Sequence, residues 1–158
     1  IPEIPYAIDK VVEAINKRSK DGKGFTILAV AEGAISKEDA KLSKKELKAK
    51  KKETKYPSVS YEVAAQIQER TGNEVRVTVP GHMQRGGSPC AYDRVLCTQL
   101  GAHAAKLILD EDYGYMVGMI DGQTRKVPLG DVAGKLKMVQ PDCQLIKEAK
   151  LVGICFGD

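Results

Sequence analysis

The stretch VTVPGHMQRGGSP, residues 77–89, decides the fold because it joins a predicted strand to a predicted helix through a glycine-rich loop. The strand is predicted from the strict alternation of NEVRVTV, in which the valines occupy one face and Arg76 and Thr78 the other. Ser88 and Pro89 predict the start of the helix, since serine is a good N-cap and proline suits the first helical position. This order of elements is typical of an α/β fold.

The rest of the chain also alternates helical and strand patterns. Apolar residues at helical spacing predict one helix around residues 8–15 and another around residues 59–67, which Gly72 would end. FTILAVA, residues 25–31, is continuously apolar and predicts a strand buried on both faces. We therefore predict a three-layer α/β sandwich with a largely parallel sheet.

The second half of the chain adds three more predicted features. The helix after Ser88 should run to about Leu109. YMVGMIDGQTRKVPL then predicts a strand pair about an Asp-Gly turn, and two shorter helical stretches follow near residues 131–136 and 142–152. No apolar run reaches the ~20 residues that a transmembrane helix needs.

The positive charge of the chain is concentrated in one segment. Residues 36–55, which we call the basic insert, hold nine lysines and four acids, a net charge of +5. Since the whole chain carries +4, the remainder is 4 − 5 = −1. The insert has no aromatic residue for stacking on bases and few large apolar residues, which favours a solvated helix or mobile loop. Nucleic acid could bind there through phosphate contacts, but we expect an ordinary solvated surface.

The four cysteines favour a reducing compartment. Cys90, Cys97, Cys143 and Cys155 form no CxxC pair, and only two histidines could join them as ligands. We predict buried thiols, no metal site and a cytoplasmic location. Because the chain lacks an initial Met and begins like the end of a strand, we also expect it to be part of a longer protein.

Polar side chains follow the two predicted strands at the edge where ligands gather in open α/β sheets. Glu32 follows FTILAVA, and His82, Gln84 and Arg85 follow VRVTV. A phosphate is bound well by cationic side chains, flexible glycine backbone and the positive end of a helix dipole. A carboxylate instead accepts hydrogen bonds from hydroxyl groups. These residues predict a sugar-phosphate site. Two structural alternatives stay open: an Arg85–Asp93 ion pair, and a His82 satisfied within the fold.

Four stretches resemble the C-terminal half of a 6-phosphofructokinase. They are VRVTVPGHMQRGGSPCAYDRVLCTQLGAHAAKLI, ILAVAEGA, IPEIPYAIDKVVEAI and the terminal GICFGD. The resemblance covers nearly the whole chain, and its GHxQRGGSPxxYDR run is long and specific. Pro80 and the long insert look more like the branch that uses diphosphate or either donor than like the short bacterial ATP enzymes.

The resemblance implies a role for each site residue. Glu32 falls where the family contacts hydroxyls of fructose 6-phosphate, and His82 and Arg85 fall on its substrate-binding His and Arg. Met83 and Gln84 line the same loop, and Arg76 falls on an Arg that reaches the sugar phosphate of a neighbouring subunit. A homo-oligomer, a dimer or tetramer, is therefore implied.

The family motifs for the phosphoryl donor and for the catalytic Asp are absent from this chain. The resemblance thus implies a glycolytic kinase that transfers phosphoryl from ATP or diphosphate to the 1-hydroxyl of fructose 6-phosphate. Mg²⁺ would be bound with the donor by an N-terminal part of the family subunit that this chain lacks. We expect no catalytic residue here and no turnover by this chain alone.

The resemblance also implies a division of the chain. Residues 1–85 would form the sugar-phosphate domain, residues 86–139 a helix and strand pair that pack on the donor-binding domain, and residues 140–158 a C-terminal return. Two other functions stay open. One is a non-catalytic sugar-phosphate-binding module, and the other is nucleic-acid binding through the basic insert.

Overall fold

The computed structural model describes residues 1–158, which divide into two compact units. The first unit comprises Ile1–Val79 and Met138–Asp158, and the second comprises Pro80–Lys137. The helices are α1 (Ile8–Lys20), α2 (Lys44–Glu53), α3 (Val59–Thr71), α4 (Ala91–Leu109), α5 (Leu129–Val132) and α6 (Gln144–Leu151), and the strands are β1 (Tyr115–Ile120) and β2 (Gln123–Pro128). None of the helices combines the length and hydropathy that crossing a bilayer requires.

Helices α1 and α3 pack together to form the core of the first unit. Val11 of α1 and Val63 and Ile67 of α3 are buried in one cluster. Ile8, Ile15 and Val59 pack against that cluster, as their helical spacing predicts. The predicted inward faces of both helices are confirmed, and so is the end of α3 at Gly72, which has a φ of 70°.

The two ends of the chain meet beside this core. The amide of Ala7 donates to the carbonyl of Gly157 over 2.7 Å. Gly157 has a φ of 77°, and a Cβ built on it would lie 3.0 Å from Tyr6 Cβ and 3.1 Å from Val11 Cγ2. Only glycine fits this position without strain, because both the backbone angle and the space exclude a side chain.

The predicted mixture of helices and strands is confirmed, whereas the structure shows a two-stranded antiparallel sheet and does not show the predicted three-layer sandwich with a largely parallel sheet. FTILAVA and NEVRVTV belong to no strand, and the one parallel pairing in the chain is an isolated bridge between Tyr6 and Ser36. Phe25 and Ile27 are 70% and 83% exposed. A buried strand requires paired strands at its edges and packed groups on both faces. Val75 packs against the α1–α3 cluster, but neither segment pairs with another strand in this chain.

The basic insert contains α2, which agrees with the predicted solvated helix. Ser43 caps the helix: its Oγ accepts from the amide of Glu46, and the Glu46 carboxylate accepts from the amide of Ser43. This capping box satisfies two amide groups at the helix start. No residue of α2 is buried.

The second unit contains α4, the hairpin and α5. β1 and β2 pair antiparallel around Asp121 and Gly122, whose φ angles of 50° and 73° match the turn that an Asp-Gly pair favours. This confirms the predicted strand pair. Helix α4 begins at Ala91 with Cys90 as its N-cap, so the predicted start with Ser88 as N-cap and Pro89 as first residue is two residues too early.

The cysteines differ from the prediction of buried thiols. Cys90, Cys97 and Cys155 are exposed, and Cys143 is half-buried. The reason lies in their elements: α4 has no buried residue, and Cys90 precedes its first turn. All four thiols are free.

The unit boundaries lie close to the predicted division without coinciding with it. The first boundary falls between Val79 and Pro80 rather than after Arg85, and the second falls before Met138 rather than after Val139. In consequence the loop with His82 and Arg85 belongs to the second unit, whereas Glu32 and Arg76 belong to the first. The roles predicted for residues 1–85, 86–139 and 140–158 stay predictions.

Candidate phosphate-binding loop and its flanking residues

The glycine-rich loop forms a short 3-10 helix at Gly81–Arg85. The amide of Met83 donates to the carbonyl of Pro80 over 3.1 Å, and the amide of Gly86 donates to the carbonyl of Met83 over 3.1 Å. Gly87 has a φ of 87°, a conformation that favours glycine. The sequence pattern does not predict this 3-10 helix, because so short a segment has no clear periodicity.

All four candidate residues of the loop are exposed. His82, Met83, Gln84 and Arg85 lie on consecutive positions of the 3-10 helix, and Met83 is 84% exposed. A methionine this exposed contributes little to folding, since it buries little apolar surface. The loop therefore presents its side chains to solvent rather than to a core.

The two cationic candidates have no partner within the chain. Arg85 takes part in none of the ion pairs, and Asp93 accepts only from the Cys90 thiol, over 3.4 Å. The alternative of an Arg85–Asp93 ion pair is therefore wrong. His82 makes no side-chain hydrogen bond and is exposed, which also argues against a histidine satisfied within the fold.

Helix α4 follows the loop after five residues of the second unit, Gly86 to Cys90. Its N-cap, Cys90, makes no side-chain capping bond. The first-turn amides of a helix without such a cap are available to an anion, and the helix dipole adds partial positive charge there. Arg94 of the second turn is turned back, since its Nε donates to the carbonyl of Pro89 over 3.2 Å.

Arg76 is held on the surface of the first unit. Its side chain is 85% exposed, and its Nε donates to Glu74 Oε1 over 2.8 Å. Val75 and Val77 on either side are half-buried, while Val79 is exposed. Glu74 was not among the predicted site residues, although the alternation that turns Arg76 outward places Glu74 on the same face.

Glu32 lies in a tight turn of the first unit. The amide of Ala34 donates to the carbonyl of Ala31 over 3.0 Å, which leaves Glu32 and Gly33 at the two central positions. A Cβ built on Gly33 would lie 3.1 Å from Cγ of Pro2, so the small residue allows a close approach there. The Glu32 carboxylate is exposed and has no ion-pair partner.

The chain offers no cluster of three His, Cys, Asp or Glu side chains that could hold a metal ion. A groove of about 470 Å³ lies in the second unit between α4 and the start of β1, but its lining is mainly apolar, with Leu100, Ala104, Leu107 and Val117 among the contributors. Such a lining suits an apolar group and not a phosphate.

Comparisons with known proteins agree on one family. A family model described as phosphofructokinase matches residues 1–108. An ATP-dependent 6-phosphofructokinase of Spirochaeta thermophila is 52% identical over 158 residues, which are 100% of this chain and 43% of that protein. ATP-dependent 6-phosphofructokinase 3 of Bacteroides thetaiotaomicron is 38% identical over 157 residues, 99% of this chain and 42% of that protein.

A third relative gives the same result. The ATP-dependent 6-phosphofructokinase of Chloroflexus aurantiacus is 38% identical over 158 residues, 100% of this chain and 42% of that protein. The chain thus spans less than half the length of these curated relatives. The match to the family model extends over more than half of the chain and includes the whole loop. This chain belongs to the phosphofructokinase family.

Proposed function

We propose that the protein formed with this chain transfers a phosphoryl group to the 1-hydroxyl of fructose 6-phosphate, and that this chain supplies most of the sugar-phosphate site. One observation carries the proposal: the loop with His82 and Arg85 presents two cation-forming side chains that are exposed and have no partner in the chain. An unpaired guanidinium beside flexible glycine backbone suits a phosphate dianion, which it can bind through two parallel hydrogen bonds.

Each candidate residue has a distinct part in this proposal. Arg85 and His82 bind the sugar phosphate, and Met83 and Gln84 line the same loop. Glu32 accepts hydrogen bonds from sugar hydroxyls, a role that its exposed carboxylate and the tight turn at Gly33 support. None of these residues acts on the reacting oxygen, so the base belongs to the part of the family subunit beyond this chain.

The proposed phosphoryl donor is ATP. The resemblance of Pro80 and the insert to the diphosphate-using branch left both donors open, but the relatives named above are all called ATP-dependent. Mg²⁺ would be bound with the donor, in the part of the family subunit that this chain lacks. In the complete subunit, FTILAVA and NEVRVTV would join a largely parallel sheet whose other strands cover their exposed apolar side chains. We place the complete protein in glycolysis in the cytoplasm.

The test is substitution of Arg85 in the complete protein. Arg85→Ala should weaken binding of fructose 6-phosphate by ~1.5–3 kcal/mol, since a hydrogen bond to a charged group has about that value, and this corresponds to roughly tenfold to 150-fold. The measurement is the Michaelis constant together with direct binding by calorimetry. Arg125→Ala is the matched control, because Arg125 lies in the same unit and bonds only the neighbouring Gln123 side chain.

An unchanged Michaelis constant in both Arg85→Ala and His82→Ala would show that the loop does not bind the sugar phosphate. A protein that binds fructose 6-phosphate tightly but never forms fructose 1,6-bisphosphate would favour the second candidate, a non-catalytic binding module. The exposed, unpartnered loop suits that candidate equally, so turnover by the complete protein separates the two.

We further propose that Arg76 binds the sugar phosphate of a neighbouring subunit in a dimer or tetramer. Its exposure and its outward direction support this, because the exposed ion pair with Glu74 is weak and Arg76 can leave it for a stronger partner.

Mixed oligomers test this role of Arg76. Active subunits carrying Arg76→Ala are mixed with inactive subunits that keep Arg76. Affinity should recover at the active subunits' sites, since a two-fold interface makes the contact reciprocal. No recovery on mixing would place Arg76 in its own subunit's site.

A further inference from the structure

Helix α2 carries five of its six lysines on one side. At 3.6 residues per turn, the side chains of Lys44, Lys45, Lys48, Lys51 and Lys52 fall within an arc of about 120°. We call these five residues the lysine face. Both glutamates of the helix, Glu46 and Glu53, lie outside that arc by the same geometry. All five lysines are exposed.

The opposite side of α2 is fixed to the first unit. Leu47 is half-buried, and Lys50 donates to Asp39 Oδ1 over 2.6 Å. The Asp39 hydrogen bond raises the pKa of Lys50, which keeps this anchoring lysine charged. Because Leu47 and Lys50 lie toward the unit, the lysine face is directed to solvent.

No anion within the chain neutralises the lysine face. None of its five residues takes part in an ion pair, and Glu46, the acid nearest in sequence, is occupied with the capping box. Lysines three and four positions apart on a helix repel each other. The helix is therefore formed in spite of its lysine face, and an external polyanion would stabilise it.

The composition of the face selects among polyanions. It has no aromatic or large apolar side chain, so it cannot insert into a membrane or form the dry centre of a protein interface. For the same reason it cannot stack on the bases of a single strand. What it can bind is a regular array of phosphates, and from Lys44 to Lys52 it spans ~12 Å at 1.5 Å per residue.

We propose that the lysine face binds the phosphate backbone of a nucleic-acid duplex, without sequence preference. The composition of the insert by itself favoured a solvated surface over nucleic-acid binding. The helical register now favours binding, because it places five lysines on one side of the helix. Each phosphate that a lysine contacts releases a bound counterion. Five such contacts would therefore give a plot of log affinity against log salt concentration with a slope near −4.5. The proposal is independent of the sugar-phosphate site, which involves none of these residues.

The experiment measures binding of this chain to a fluorescent 20-base-pair duplex of DNA, and of RNA, between 50 and 200 mM salt. Affinity should fall by roughly 500-fold over that range if five phosphates are contacted. The variant K44Q/K48Q/K52Q should bind more than about tenfold more weakly at 100 mM salt and should lower the slope to about −1.8. Because Lys and Gln have similar helix propensities, α2 should persist, and circular dichroism checks this.

The matched control is K23Q/K135Q/K147Q, which removes the same charge from scattered exposed positions outside any ion pair. Full retention of binding by this control, with loss in the α2 variant, supports the proposal. Equal losses in the two variants would mean that only net charge matters and would overturn it. So would no duplex binding at 50 mM salt, or equally tight binding to phosphatidylserine vesicles or polyglutamate.

Discussion

The α1–α3 core and the GHMQR loop represent two opposite uses of side chains. In the core, Val63 is 3% exposed and Ile67 is 5% exposed, and both pack against Val11. In the loop every residue is exposed, and His82 and Arg85 have no partner. The apolar side chains of the core hold the fold together, whereas the side chains of the loop contribute little to its stability. A side chain that stabilises nothing in its own chain is free to bind something else, which is why the loop is the better candidate for function.

The largest expected effect on folding comes from the core. Ile67→Ala should lower the free energy of unfolding of this chain by about 2–5 kcal/mol, because it removes buried methyl groups and leaves a cavity. Ile27→Ala is the matched control: the same side chain is 83% exposed there, so the change should stay within about 0.5 kcal/mol. Urea denaturation measures both. Similar losses of stability in the two variants would mean that residues 25–31 are packed as well as the core. The contrast between a buried Ile67 and an exposed Ile27 would then be wrong.

A second test concerns the contact of the C-terminal segment with this core. Gly157→Ala should destabilise the chain by about 1–3 kcal/mol more than Gly153→Ala, since only position 157 has Tyr6 and Val11 within contact of the new Cβ. Both glycines have positive φ, 77° and 88°, so the backbone cost is matched and the difference isolates the packing. Equal destabilisation would show that the chain end is not held against α1.

The third test uses pH at the edge of the core. Burial, with a smaller contribution from Glu62, raises the pKa of Tyr6 to about 12 from its ordinary value of 10.0. The folded state therefore holds the proton more tightly, and the resulting stability is present below pH 10 and lost as the pH rises toward 12. Tyr6→Phe should make the alkaline decline of stability shallower, as measured by urea denaturation between pH 9 and 12.

Tyr92→Phe serves as the control for that measurement, because the Tyr92 side chain is 71% exposed. It should leave the alkaline decline as in the unsubstituted chain. A decline that is unchanged by Tyr6→Phe, or changed as much by Tyr92→Phe, would mean that Tyr6 is not enclosed by the first unit.

The smallest expected effect on folding comes from the loop. Arg85→Ala should change the free energy of unfolding by less than about 0.5 kcal/mol, the usual limit for exposed positions without a structural role. The same substitution is expected to weaken fructose 6-phosphate binding in the complete protein. A loss of stability comparable to that of Ile67→Ala would show that Arg85 supports the fold, and any loss of binding would then have a structural cause.

Local patterns in the sequence predicted part of this fold correctly. The apolar spacing of α1 and α3, the glycine cap of α3 and the Asp-Gly hairpin all depend on interactions between residues close in the chain. The buried strands and buried cysteines were predicted wrongly for this chain. Burial depends on neighbours that are distant in sequence, and Ile27 and Cys97 lack them here.

For the candidate site, the sequence by itself determined which residues are present and in what order. The spacing of His82, Arg85 and the two glycines, and the resemblance of that run to a phosphofructokinase, were sufficient to select the loop. Only the tertiary structure decided between a partnered and an unpartnered Arg85, because the position of Asp93 relative to it depends on where α4 begins. Tertiary structure likewise decided that Leu47 is half-buried and that Lys50 bonds Asp39, and so which lysines of α2 have no ion-pair partner.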